Sequence, residues 1–119
     1  MKIYLTGKMR GIPGYNRAQF HYAAERLRAA GHEVYNPSEV SDKLFGVDVR
    51  NAKAQGMKDV GGEPETISRT VFALDLIRVC TWADAIVVMP NSESSVGAQA
   101  EIAVARAIPI QVFSLAELV

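Results

Sequence analysis

The stretch AIVVM at residues 85–89, closed by Pro90, decides how the rest of the chain reads. It is a continuous apolar run too short for a helix, which suits a strand covered on both faces. Such strands belong to parallel sheets, and helices are expected on either side of it. Upstream, Thr66 to about Trp82 reads as a helix with Ile67, Val71, Leu74, Leu76 and Ile77 on its apolar side. Downstream, the polar loop NSES leads into a helix at about 96–107, which Pro109 closes. IQVF at 110–113 then reads as a further strand, and SLAEL as a final turn of helix.

The amino-terminal half repeats the alternation. KIYLT at 2–6 is a short β-rich run closed by Gly7. The next ten residues, GKMRGIPGYN, hold three glycines and a proline and read as a loop directly after a strand. In 15–30, Phe20, Ala23, Ala24, Leu27 and Ala30 recur at spacings of three and four, the mark of a helix with one apolar face. Asn16 is placed to cap it and Gly31 to end it. HEVYN follows as a second short strand that Pro37 stops. Residues 38–65 show weak periodicity with glycines and charges, and one short helix fits inside them. They read as a variable, mobile flap beside the site, or equally as a disordered insertion.

This order predicts an α/β fold in one domain spanning 1–119. The sheet should be open and mostly parallel, with four or five strands flanked by helices, in the flavodoxin- or Rossmann-like order 2-1-3-4. The topological switch then falls between strands one and three, and ligands in such sheets bind outside the carboxyl ends of the strands there. The site should therefore be built from the loop after Thr6, the loop after Met89 and the start of the helix near 96.

Composition narrows the partners. The chain has 119 residues, with 13 Lys plus Arg against 13 Asp plus Glu, so its formal charge is zero. Zero balance gives no footprint for nucleic acid and offers little charge repulsion against self-association. No apolar run approaches the length of a membrane span, and the first residues already read as a strand, not as a signal peptide. The single cysteine, Cys80, sits in an apolar stretch and reads as a core residue of a protein from a reducing, cytoplasmic compartment. His21 and His32 lie far apart without metal-ligand company, so neither a metal nor a cofactor is expected.

Certain polar residues stand where the pattern asks for apolar ones. Glu101 lies in VGAQAEIAVARA, a helix that is almost wholly small and apolar. Buried over the sheet end it is costly without partners, and reads as a carboxylate nucleophile or sugar-hydroxyl ligand; otherwise it is an exposed residue on the solvent face. Asp75 lies in VFALDLIRVC, and is either a second site carboxylate or a surface residue paired to Arg78. Two carboxylates in one site can divide acid and nucleophile roles, the usual way a glycosidic bond is broken. Tyr4 could reach the site rim from the first strand or pack in the core. In the first loop, Arg10 suits a phosphate or carboxylate, while Gly7 and Gly11 let backbone amides approach an anion; Met9 lies between them. The loop lacks a GK[ST] ending and does not match GxGxxG, which disfavours nucleotide cofactors bound in those modes. Ser94 and Ser95 precede a helix and suit an anion at its amino terminus or plain capping. Asp84 reads as a turn or cap residue and Trp82 as packing.

Three runs carry a resemblance: IYLTGKMRG (3–11), LDLIRVCTWADAIVVM (74–89) and SVGAQAEIAVARAIPIQVF (95–113). Together, in this order, they resemble the nucleoside 2-deoxyribosyltransferase-like superfamily. The opening MKIYLTGKMRGIPGYN is similar to its small bacterial and phage members. The resemblance implies that Glu101, four residues after Gly97 in a G-x-x-x-E helix, attacks C1′ of a deoxyribose to form a glycosyl-enzyme intermediate. It implies that Asp75 assists the departing base and that Tyr4 lies near the nucleophile. It makes Gly7 and Arg10 of the first loop, with Ser95 six residues before Glu101, the phosphate holders of the branch that hydrolyses deoxynucleoside 5′-monophosphates. Met9, Gly11 and Gly97 complete the expected substrate-binding set. The transferase branch has an aspartate at the place of Ser95 and a carboxyl-terminal asparagine segment that reaches a neighbouring subunit; this chain has serine and ends at AELV. Both departures favour hydrolysis over base exchange, or else loss of the chemistry. The implied partner is a nucleotide or nucleoside, the implied state a homodimer or larger homo-oligomer. Binding of a nucleotide or sugar-phosphate without cleavage is the rival expectation.

Overall fold

A computed structural model describes residues 1–9, 11–45 and 65–119. Four strands, β1 (Lys2–Thr6), β2 (Glu33–Tyr35), β3 (Ala85–Val88) and β4 (Gln111–Ser114), form one sheet in the order β2-β1-β3-β4. Every pairing is parallel. This is the expected α/β sheet, with the switch in strand order between β1 and β3.

The strands alternate strictly between two cores. Ile3 and Leu5 of β1, with Val87 of β3 and Met89 beyond it, face α1 (Arg17–Ala29), which buries Phe20, Ala23, Ala24 and Leu27 against them. Tyr4 of β1 and Ile86 of β3 face the other way. They pack with Val79 of α3 (Glu65–Thr81) and with Ile102 and Ala105 of α4 (Val96–Ala107). α2 (Pro37–Phe45) follows β2, and the short α5 (Leu115–Leu118) follows β4. The two-residue period of β1 thus sends Tyr4 and Thr6 to the α3–α4 side, where the site lies.

α2 occupies the start of the segment expected to be a flap and is the short helix that fitted there; the remainder, 46–64, lies outside the described residues. Asn36 begins α2: its Oδ1 accepts from the Ser38 N–H at 2.9 Å, and Pro37 follows at the first helical position. Arg17 and His21 of α1 reach Asp42 Oδ2 at 2.7 and 3.2 Å, and Arg28 reaches Glu39 at 2.7 Å, fastening α2 to α1.

Three expectations are corrected. Asn16 does not cap α1 with its side chain: it is left-handed at φ 59°, and its Nδ2 donates to the Lys8 carbonyl at 3.0 Å, tying down the loop after β1. Cys80 is exposed and not in the core. Leu74 and Ile77 are 52% and 54% exposed; the buried side of α3 carries Asp75 and Val79 instead. Asp84, expected in a turn or cap role, reaches the first strand: its Oδ2 accepts from the Lys2 N–H at 2.9 Å.

Candidate active site

Glu101 is placed by its helix. Ala98, Glu101, Ile102 and Ala105 form the buried stripe of α4, so the carboxylate points at the sheet and is only 7% exposed. Two strand residues meet it. The Tyr4 hydroxyl donates to Oε2, and the Thr6 hydroxyl donates to Oε1 at 2.8 Å. Both donors lie on one face of β1, and Thr6 is its last residue, so the carboxylate sits at the carboxyl end of the strand.

Asp75 enters from α3 and is 9% exposed. Tyr35, the last residue of β2, donates to its Oδ1 at 3.2 Å. The parallel register pairs Tyr4 with Tyr35, and their rings stack at 5.3 Å and 15°. Arg78 does not take the pairing expected of a surface aspartate: its guanidinium stands over the Tyr35 ring at 5.4 Å. Asp75 and Glu101 therefore meet in one polar cluster with Tyr4, Thr6 and Tyr35. Among the described residues, no buried side-chain nitrogen or oxygen lacks a hydrogen-bond partner.

Burial dominates the electrostatics. It pushes Glu101 up to about 7, against the hydrogen bonds from Tyr4 and Thr6 and with help from the Asp75 charge. It pushes Asp75 up to about 6, against the hydrogen bonds of Tyr35 and Tyr4. Tyr35 rises to about 12, through burial first and the Asp75 charge second. Burial and the charges of Glu101 and Asp75 also hold the Tyr4 phenol well above its ordinary value. Both phenols are therefore donors throughout the physiological range.

The two loops close over the strand ends. A Cβ on Gly7 would stand 2.8 Å from Met89 Cβ and 3.3 Å from Ser92 Oγ, so only glycine lets the loop after β1 run this close to the end of β3. Lys8 Nζ donates to Ser94 Oγ at 3.0 Å across the gap. Ser95 caps α4, its Oγ accepting from the Ala98 N–H at 3.2 Å. A Cβ on Gly97 would meet only the Phe72 ring, at an ordinary contact distance of 3.9 Å. Met9 packs against the core on the α1 side, away from Glu101, and Gly11 is left-handed at φ 80°. Arg10 lies outside the described residues. Among the described residues, no three His, Cys, Asp or Glu side chains gather as a metal site needs.

Thr6, Tyr35 and Lys8 were not singled out by the sequence. Strand alternation from Tyr4 carried the signal for Thr6, and the parallel pairing of the first two strands carried it for Tyr35.

The model of DUF4406, a domain of unknown function, matches residues 1–61. The chain belongs to the DUF4406 family. The DUF4406 match takes in β1, α1, β2 and α2, hence Tyr4, Thr6 and Tyr35, while Asp75 and Glu101 stand beyond it. No curated protein and no solved structure matches the chain. In this DUF4406 chain the amino-terminal half supplies the hydroxyl donors and the carboxyl-terminal half supplies the carboxylates.

Proposed function

We propose that this chain cleaves the N-glycosidic bond of a (deoxy)nucleoside 5′-monophosphate through a glutamyl–sugar intermediate. One observation carries the reading: two buried carboxylates, Glu101 and Asp75, converge at the strand ends, each held by tyrosine hydroxyls. The resemblance of the three sequence runs to the nucleoside 2-deoxyribosyltransferase-like superfamily supplies the substrate class. A Glu101 oxygen attacks C1′ while the bond to the base breaks, and Asp75 delivers a proton to the leaving base. Water, deprotonated by the same aspartate, then attacks C1′ and releases sugar 5-phosphate and free Glu101. The phosphate is assigned to Gly7, Arg10 and Ser95. Ser95 Oγ accepts from the α4 backbone, and its O–H is still a donor for an anion.

The mechanism needs one proton shared by the pair. With burial and the hydrogen bonds both acting, Glu101 at about 7 holds it more tightly than Asp75 at about 6 in the free protein. Both Glu101 oxygens accept from hydroxyls, which suits the ionised form the nucleophile needs. A substrate filling the site changes the burial of both groups, and in that state the proposed roles are Glu101 ionised as nucleophile and Asp75 protonated as acid. The half-exposed Leu74 and Ile77 on α3 support a homo-oligomeric state.

The test is a panel of deoxynucleoside 5′-monophosphates and deoxynucleosides incubated with the protein, with released base measured by chromatography. Base should appear from a monophosphate, and Glu101→Ala should reduce release to the uncatalysed background while the protein stays folded. Equal release by wild type and Glu101→Ala would sink the mechanism. A nucleotide that binds and is returned intact would favour a binding module instead, and base exchange between nucleosides would favour a transferase.

A further inference from the structure

Tyr35 has no role in the chemistry above, yet its ring is held from several sides. It ends β2, a strand of only three residues. Its ring stacks on Tyr4 from one side, and Trp82 lies against it at 6.3 Å and 58°. Arg78 of α3 stands over the ring with its guanidinium 5.4 Å from the centroid. A ring clamped by two aromatic neighbours and a cation has little rotational freedom, so its hydroxyl has a fixed aim. That aim is Asp75 Oδ1, at 3.2 Å.

We propose that Tyr35 is a positioning residue for Asp75: from a ring held by Tyr4, Trp82 and Arg78, its hydroxyl fixes the carboxyl beside the Tyr4–Glu101 pair. As a role in catalysis, this rests on the glycosidase reading; as a statement about Asp75 it stands on the geometry alone. The groups that bear on Asp75 are Tyr35 from β2, Tyr4 from β1, Glu101 from α4 and Arg78 along its own helix. Tyr4 is already bonded to Glu101, and Arg78 is engaged with the Tyr35 ring. Tyr35 is thus the phenol that Asp75 does not share with Glu101. It stays a donor throughout, since its own pKa lies at about 12.

A donor to the ionised form makes a carboxyl more acidic. Tyr35 therefore opposes the burial that lifts Asp75 to about 6, and keeps its proton transferable near neutral pH. Tyr35→Phe removes the hydroxyl and keeps the ring, so stacking, cation–π contact and fold are retained.

The experiment follows the ¹³C signal of the Asp75 carboxyl by NMR as pH is varied, in the full chain without ligand, with Asp75→Asn to assign the signal. The Asp75 midpoint should rise from about 6 to about 7 in Tyr35→Phe, roughly a tenfold change in the protonation equilibrium. Tyr22→Phe, which removes an exposed hydroxyl that accepts from Arg26 in α1, should leave it in place. An unchanged or lowered midpoint in Tyr35→Phe overturns the proposal, as does an equal shift in Tyr22→Phe. If wild type releases base, the alkaline limb of its kcat profile should move upward with the Asp75 midpoint in Tyr35→Phe. If no base is released, the glycosidase reading fails while the titration still decides the role of Tyr35.

Discussion

Gly7 stands where the chain leaves β1, and its constraint is steric. A methyl group there would lie 2.8 Å from Met89 Cβ, an atom next to the backbone of the neighbouring strand end that cannot swing away. Gly7→Ala should therefore cost about 1–3 kcal/mol, the usual range for overpacking, read as a lower midpoint in urea unfolding. Unchanged stability would mean that the first loop yields easily and does not hold the two strand ends in register. Other residues at this scale differ in how plainly the sequence announces them. Glu101 and Asp75 stood out because a charge in an apolar helix needs an explanation. Thr6 and Tyr35 did not, because threonine and tyrosine are ordinary strand residues and only their partners across the sheet make them part of the site. Cys80 misled for a related reason: apolar neighbours in sequence do not say which side of a helix a residue takes.

Helix α3 shows why a face can be illegible. Val71, Phe72, Ala73, Leu74, Leu76, Ile77, Val79 and Cys80 run almost all the way round it, so periodicity cannot choose a buried side. The sheet chooses the side with Asp75 and Val79, and Leu74 and Ile77 are left half exposed. In α4 the small residues and Ser95 mark the element clearly, and its bounds of Val96–Ala107 match the expected 96–107. Capping fixes where that helix starts and hence the turn on which Glu101 sits. Ser95→Ala removes an acceptor for the Ala98 N–H and should lower stability by about 1 kcal/mol, seen as a reduced melting temperature. If Ser95 also holds the phosphate, KM for a 5′-monophosphate should rise in the same variant while KM for the free nucleoside does not. A stability loss with equal effects on both substrates would confine Ser95 to capping.

The order β2-β1-β3-β4 followed from the alternation of strands and helices, because short right-handed crossovers leave few topologies to consider. That order also set the site at the ends of β1 and β3. What alternation cannot convey is the folding cost of sinking two carboxyls beside each other. Unfolded, they ionise near their ordinary values of 3.8 for Asp75 and 4.5 for Glu101; folded, they ionise near 6 and 7. Between those limits the folded chain binds more protons than the unfolded chain, so stability falls as pH rises. The pair's contribution is most favourable below about pH 4, declines through the window up to about pH 7, and is constant above it. Glu101→Gln removes one titration and keeps the shape. The amide oxygen can accept from one hydroxyl, and the amide nitrogen can donate to the oxygen of the other. The variant should therefore be more stable than wild type at pH 8, by about 1–3 kcal/mol, with the gap closing as pH falls toward 4. Urea unfolding of both proteins at several pH values measures this directly. A gap that does not change with pH would mean that Glu101 ionises alike in the folded and unfolded chain. The charge would then be no burden on the fold, and the stability given up to place a carboxylate under Tyr4 and Thr6 would no longer mark the position as one kept for chemistry.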